Sequence, residues 1–156
     1  MGEKMKRLLI LLAAALVLLA GAFQLPEHQP PAPEPEQTVT QAGAYTDRDR
    51  VAEYIYLYGG LPGNYITKAE ARGLGWDAQA GNLWDVAPGK SIGGDRFGNY
   101  EGSLPEAPGR TYYECDIDYA GGHRNAKRIV YSDDGLIFYT DDHYDHFTQL
   151  YGEAEP

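Results

Sequence analysis

Between Glu114 and Tyr144 the sequence sets one carboxylate, two guanidiniums and an imidazole in a strand-like stretch: Glu114, Arg124, Arg128 and His143. Apolar and aromatic residues alternate with polar ones, and glycine- or aspartate-rich punctuation separates the runs. A base, cations and an acid on adjacent strands of one sheet are the parts needed to move a phosphoryl group without a metal. Glu114, Asp116 and Asp118 alternate, which puts their side chains on one strand face. Such a row is either solvated or ion-paired. With Arg124 and Arg128 following in a strand–turn–strand unit, Asp116 is expected to orient the guanidiniums and leave Glu114 free to act as base. In Asp141-Asp142-His143-Tyr144-Asp145-His146 the better acid is His143, because Asp141 and Asp142 beside it favour a protonated imidazole.

Other motifs carry plainer readings beside the sharp ones. The Asp/His run lacks helical H-E-x-x-H spacing and any cysteine partner, so an acidic loop is favoured over a metal site. Pro88-Gly89-Lys90-Ser91 resembles the end of a nucleotide-binding loop, but that motif needs a glycine where Trp84 stands. The loop around Phe97, Gly98, Asn99, Tyr100 and Glu101 reads first as a flexible surface segment. Its functional alternative is a base pocket, in which backbone N–H groups and the Glu101 carboxylate pair with a purine edge. Only guanine offers neighbouring N–H donors to a carboxylate while presenting an acceptor oxygen, so such a pocket would select guanine. Lys68 opens a helix, where a cation is electrostatically unfavourable. By itself it reads as a solvated lysine; the alternative is a helix end and a lysine jointly facing an anion.

The elements that must position these residues follow in order. Basic residues Lys4, Lys6 and Arg7, an apolar run from Leu8 to Phe23 and the small residues Ala20-Gly21-Ala22 read as a secretory signal over 1–22. Residues 23–43 are Pro-, Glu- and Gln-rich and are expected to be a linker or pro-segment. A domain over 44–151 and a short tail over 152–156 complete the chain. Thr46 is expected to cap a helix with Val51, Ile55 and Tyr58 on one face, stopped by Gly59-Gly60. Thr67-Lys68-Ala69-Glu70 is a capping box for a second helix, and Asn82 to Val86 suggests a third, single turn. Strands are expected near 91–96, 111–118, 127–132, 135–140 and 147–149, with a tight turn at Asp133-Asp134-Gly135. Helices followed by consecutive antiparallel strands predict an α+β fold, the N-terminal helices packed on one face of the sheet. The one cysteine, Cys115, excludes an intrachain disulfide and should face the core, opposite Glu114. The 156-residue chain has a net charge of −10, which becomes −12 once Lys4, Lys6, Arg7 and Glu3 are removed. That balance disfavours general nucleic-acid binding unless the cations are concentrated at one site.

Several long runs, in one order from Tyr45 to Leu150, resemble barnase and its relatives, the guanyl-preferring secreted microbial ribonucleases. They include G-N-L-W-D-V-A-P-G-K-S-I-G-G-D, G-R-T-Y-Y-E-C-D-I-D-Y, R-N-A-K-R-I-V-Y-S and T-D-D-H-Y. The resemblance implies Glu114 as general base and His143 as general acid, with Lys68, Arg124 and Arg128 neutralising the scissile phosphate. It also implies Phe97, Gly98, Asn99 and Glu101 in a guanine loop and Tyr144 supporting the bound base. RNA is the implied substrate, no cofactor or metal is called for, and a monomer without stable membrane association is expected after export. An intracellular inhibitor resembling barstar is the implied protein partner. Tyr100 departs from the pattern by standing where barnase has an arginine. Gly135 replaces a tryptophan and Tyr113 another arginine. With fewer cations and an acidic balance, weaker salt dependence and weaker inhibition by an acidic partner are expected. The contrasting expectation is a secreted domain that binds guanine nucleotides or RNA without cleaving them.

Overall fold

A computed structural model describes residues 39–153. The signal segment, the linker up to residue 38 and the tail beyond residue 153 lie outside the described residues. The linker boundary nevertheless moves. Val39 is buried, and Tyr54 donates to the Gln41 carbonyl at 2.9 Å, so 39–43 pack on the domain. Their polar composition hid this, because one apolar anchor and one backbone acceptor leave little periodic signal.

Three helices precede most of the sheet. They are α1 (Arg48–Tyr58), α2 (Lys68–Gly73) and the single turn α3 (Leu83–Val86). The cap of α1 is Asp47, not Thr46, because the Asp47 carboxylate reaches the Arg50 N–H at 3.1 Å. The Thr46 carbonyl instead accepts from Asp118 N at 2.8 Å. Gly59, at φ 73°, closes the helix in the left-handed region. The buried face of α1 is Val51, Ala52, Tyr54 and Ile55, while Tyr58 is exposed. Thr67 and Glu70 form the expected capping box of α2.

The sheet has six strands in sequential order: β1 (Tyr65–Ile66), β2 (Ser91–Phe97), β3 (Tyr112–Asp116), β4 (Arg128–Ser132), β5 (Ile137–Thr140) and β6 (Thr148–Tyr151). β2 through β6 pair antiparallel, whereas β1 pairs parallel with β2. β1 escaped the sequence reading because two residues are too few to show a period; the long crossover through α2 and α3 permits its parallel pairing. The β3 strand also ends two residues early. Asp118 sits at φ 56°, turned out of the row of Glu114 and Asp116, and pairs with Lys127 at 2.8 Å.

Cross-strand register divides the sheet into two faces. Tyr113, Cys115, Ile129, Tyr131 and Ile137 face α1 and form the main core with Val51, Ala52 and Ile55. Cys115 is buried there, and burial pushes its thiol well above the usual range. Gly93 abuts this core at a β2 bulge. A Cβ on Gly93 would lie 2.6 Å from Cys115 Cβ and 2.7 Å from the Tyr65 ring, so only glycine fits. The opposite face starts apolar, with Tyr112, Val130, Leu136 and Phe138 around Leu104, and turns polar at Glu114, Asp116, Arg128 and Thr140. This is the α+β architecture expected, and the polar end of that second face holds Glu114, Asp116 and Arg128 together. No helix among the described residues is long and apolar enough to cross a membrane.

Candidate active site

Glu114 lies mid-strand in β3, buried, with Asp95 of β2 and Val130 of β4 as its register neighbours. Lys68 Nζ reaches Glu114 Oε1 at 2.5 Å, and the Tyr144 hydroxyl donates to Glu114 Oε2. Burial alone would raise the Glu114 carboxyl. The Lys68 ammonium and the Tyr144 hydroxyl outweigh it, and the group sits below the ordinary glutamate value. Glu114 is therefore ionised at neutral pH. Tyr144 is driven the other way: burial and the neighbouring carboxylate raise its hydroxyl, which keeps it a donor.

Lys68 is placed by its own backbone. The capping box fixes the start of α2, and Lys68 N–H donates to Asp95 Oδ2 at 2.9 Å. This aspartate was missed by the sequence reading. It follows the Gly93–Gly94 bulge of β2, and only the β2–β3 register brings it beside Glu114. The solvated-lysine reading of Lys68 fails for the same reason: the tertiary fold turns the side chain onto a buried carboxylate.

Asp116 holds both arginines, as the alternation predicts. Arg124 grips it with two bonds, Nε to Oδ2 at 2.7 Å and Nη2 to Oδ1 at 2.5 Å. Arg128, buried beside it, has Nε 3.1 Å from Asp116 Oδ1 without the alignment of a hydrogen bond. Its Nη1 donates to the Lys127 carbonyl at 2.7 Å and to Asn125 Oδ1 at 3.3 Å. Burial opposes the charge on Arg124, but the Asp116 carboxylate overcomes it and raises the guanidinium further. One buried carboxylate thus shares two cations, and the cluster keeps positive charge to offer an anion. Asn125 is a second supporting residue that spacing did not single out.

His143 and Tyr144 are consecutive left-handed residues, φ 58° and 79°, in the turn after β5. Non-glycine residues pay for that conformation, so the turn needs outside support. Thr140, buried at the end of β5, supplies it: its hydroxyl accepts from Tyr144 N at 3.1 Å and donates to Asp142 at 2.9 Å. His143 is exposed, its ring centroid 4.8 Å from that of Tyr144, and its N–H donates to the Ala126 carbonyl at 3.2 Å. The expected support from Asp142 is redirected. Asp142 accepts from His146 N and Nδ1, at 2.9 and 2.6 Å, which holds it at about 2 and raises His146. Asp142 and His146, four residues apart, converge in this tight turn.

A cleft of about 330 Å³ joins His143 and Tyr144 to the loop of Phe97, Gly98, Asn99, Tyr100 and Glu101. The Phe97 and Tyr144 ring centroids lie 5.2 Å apart. Asn99 closes the loop with its side chain, exchanging two 3.0 Å bonds with the Leu104 backbone. Its amide is therefore committed to the loop rather than free to read a base. Glu101 is exposed at the rim, and the Tyr100 ring stands in solvent. Among the described residues, no three His, Cys, Asp or Glu side chains converge in a way that could hold a metal ion.

A buried anionic base, clustered cations and an exposed imidazole beside one cleft suit phosphodiester chemistry. Known proteins agree: a sequence profile described as ribonuclease matches residues 36–151. The chain belongs to the ribonuclease family. A ribonuclease of Bacillus intermedius is 60% identical over 102 residues, which cover 65% of this chain and 63% of that protein. A ribonuclease of Heyndrickxia coagulans is 59% identical over 102 residues, 65% of this chain and 94% of that protein. The guanyl-specific ribonuclease St of Saccharopolyspora erythraea matches over 55 residues at 42% identity, covering 35% of this chain and 54% of that protein. The Bacillus relative is matched over less than two thirds of its own length. The six-stranded, mostly antiparallel sheet with its N-terminal helices is the α+β fold of the microbial ribonucleases.

Proposed function

We propose that this ribonuclease-family protein is a secreted endoribonuclease that cleaves single-stranded RNA after guanine, passing through a 2′,3′-cyclic phosphate without a metal. The observation that carries the reading is Glu114: buried, held ionised by Lys68 and Tyr144, and joined through Tyr144 to the cleft that ends at His143. Glu114 takes the proton of the ribose 2′-OH, whose oxygen attacks the adjacent phosphorus. His143 protonates the departing 5′ oxygen as the P–O bond breaks. Water then opens the cyclic phosphate with the two roles reversed. The phosphorane carries more negative charge than the ground state, and Lys68, Arg124 and Arg128 are the cations that meet it. DNA lacks the 2′-OH and is not a substrate.

Guanine selection rests on the cleft at Phe97–Glu101. The Glu101 carboxylate accepts from the guanine N–H donors and loop backbone N–H groups donate to its carbonyl oxygen. Phe97 and Tyr144 supply the apolar walls, and the Asn99 clamp keeps the loop in shape. The name of the Saccharopolyspora relative is consistent with this preference. The basic and apolar N-terminal sequence supports export, and a barstar-like inhibitor is the partner class that this reading implies.

Purified protein incubated with RNA in EDTA tests the reaction. Cuts after G that carry 2′,3′-cyclic phosphates, lost in His143→Ala, are expected. Intact RNA with guanosine monophosphate still bound would favour a silent binding domain.

A further inference from the structure

A second and larger cleft, of about 530 Å³, lies on the other side of the loop that forms the base pocket. The two clefts share Phe97, Gly98, Asn99 and Tyr100, and the second is closed by Arg96, Arg110 and Glu106. Nothing in the mechanism above uses it. Two of its residues are uncommitted. Arg96, at the exposed end of β2 opposite Tyr113, has no hydrogen bond, ion pair or ring contact among the described residues. Every other described lysine or arginine has one. Lys68, Arg124, Lys127 and Arg128 are held at or near the site. Arg48, Arg50 and Arg110 are held by carboxylates, Lys90 by a carbonyl and Arg72 by the Trp76 ring. The second uncommitted residue is Tyr100, 99% exposed, which holds a bare aromatic face at the boundary between the clefts.

An unpaired guanidinium and an exposed ring beside a polar cleft are the elements that bind single-stranded nucleic acid, through phosphate contact and base stacking. On this acidic surface, an arginine left without a carboxylate is a place where a phosphate meets no repulsion from an ion-paired neighbour. Glu106 also lines the cleft, which assigns the phosphate to the Arg96 side. The direction of the strand follows from the catalytic cleft. With guanine in the Phe97–Glu101 pocket and its 3′ phosphate at Glu114 and His143, the chain's 5′ side leaves away from those residues, over the shared loop.

We propose that the Arg96–Tyr100 cleft is a subsite for the nucleotide immediately 5′ to the recognised guanosine, with its base stacked on Tyr100 and the linking phosphate on Arg96. This rests on the ribonuclease reading above. The subsite prefers no particular base, since stacking tolerates any ring. It strengthens binding rather than the chemical step, so its signature is in KM.

The test compares kcat/KM for GpU with that for ApGpU in the full protein. The 5′ extension is expected to raise kcat/KM roughly tenfold, mainly through KM. Arg96→Ala and Tyr100→Ala should each shrink that ratio several-fold, while Arg96→Lys should retain most of it. Equal values for the two substrates in the unmodified protein, or a ratio that neither variant changes, would overturn the subsite. Binding of the non-cleavable d(ApGp) against deoxyguanosine 3′-phosphate, followed by intrinsic fluorescence, gives the same comparison without turnover. If GpU and ApGpU stay intact while d(ApGp) still binds more tightly in an Arg96-dependent way, catalysis fails and the subsite stands. Equal binding of the two deoxy ligands would remove the subsite while leaving any GpU cleavage intact.

Discussion

The two groups proposed to transfer protons are held in opposite ways. Glu114 sits inside a strand, flanked by paired strands on both sides, buried and bonded through both oxygens. His143 stands exposed in a turn, in a left-handed conformation, fixed by one backbone bond and by the Thr140 hydroxyl that anchors the next residue. Glu114 is positioned by the sheet and tuned by neighbours that desolvate and bind it. His143 is positioned by a strained turn and left open to solvent. A buried carboxylate needs partners that keep it ionised before it accepts a proton, whereas an exposed imidazole keeps its charge solvated by water.

Removing each group should break the comparison most sharply. Glu114→Gln and His143→Ala are each expected to lower kcat on RNA by about 10²–10⁴-fold. Their stabilities should differ: His143→Ala should stay within about 0.5 kcal/mol of the parent in urea titration. Glu114→Ala removes the partner of Lys68 and Tyr144 and should change the midpoint clearly. Equal stability effects would mean that the two sites are supported alike. Asp116→Ala strips the carboxylate from Arg124 and Arg128 in the interior and should cost about 3–5 kcal/mol by the same titration. A loss below about 1 kcal/mol would show that water or another acceptor takes its place.

Smaller changes sharpen the comparison. Tyr144→Phe deletes a donor to Glu114, so the Glu114 carboxyl should rise toward its ordinary value. The acid limb of the kcat/KM–pH profile should then move to higher pH. Because folding lowers the Glu114 value, its stabilising contribution is present above the unfolded glutamate value. That contribution is lost as pH falls through the folded one. In Tyr144→Phe it should be smaller and be lost at higher pH. Thr140→Val takes away the acceptor of Tyr144 N and a donor to Asp142, and should cost about 1–2 kcal/mol, with a larger fractional loss of kcat than of KM. The smallest effect belongs to the exposed Asp142–His146 pair. Folding raises His146, so whatever it adds is present below the unfolded histidine value and fades as pH rises through the folded one. His146→Ala should therefore flatten the stability–pH curve slightly around neutrality, an effect that added salt should erase.

Alternation and punctuation alone determined much of this protein. The α+β order, the capping box at Thr67–Glu70, the opposed faces of Glu114 and Cys115, and Asp116 as the holder of both arginines were all legible, because each depends on residues close in the chain. Strand and helix periods are local, and a side chain two residues away on a strand must share a face. Tertiary structure decided what local spacing could not express. Lys68 became a partner of Glu114 because the crossover after β1 lays α2 against the bulged end of β2, 46 residues away from that carboxylate in sequence. Asp95 gained its role by register alone. Asp142 chose His146 over His143 because a tight turn, not adjacency, sets which side chains converge. Val39 joined the domain as one buried side chain in a polar segment, which no composition could announce. Pairings across long sequence separations depend on which surfaces the core brings together, and that is settled only when the whole chain packs.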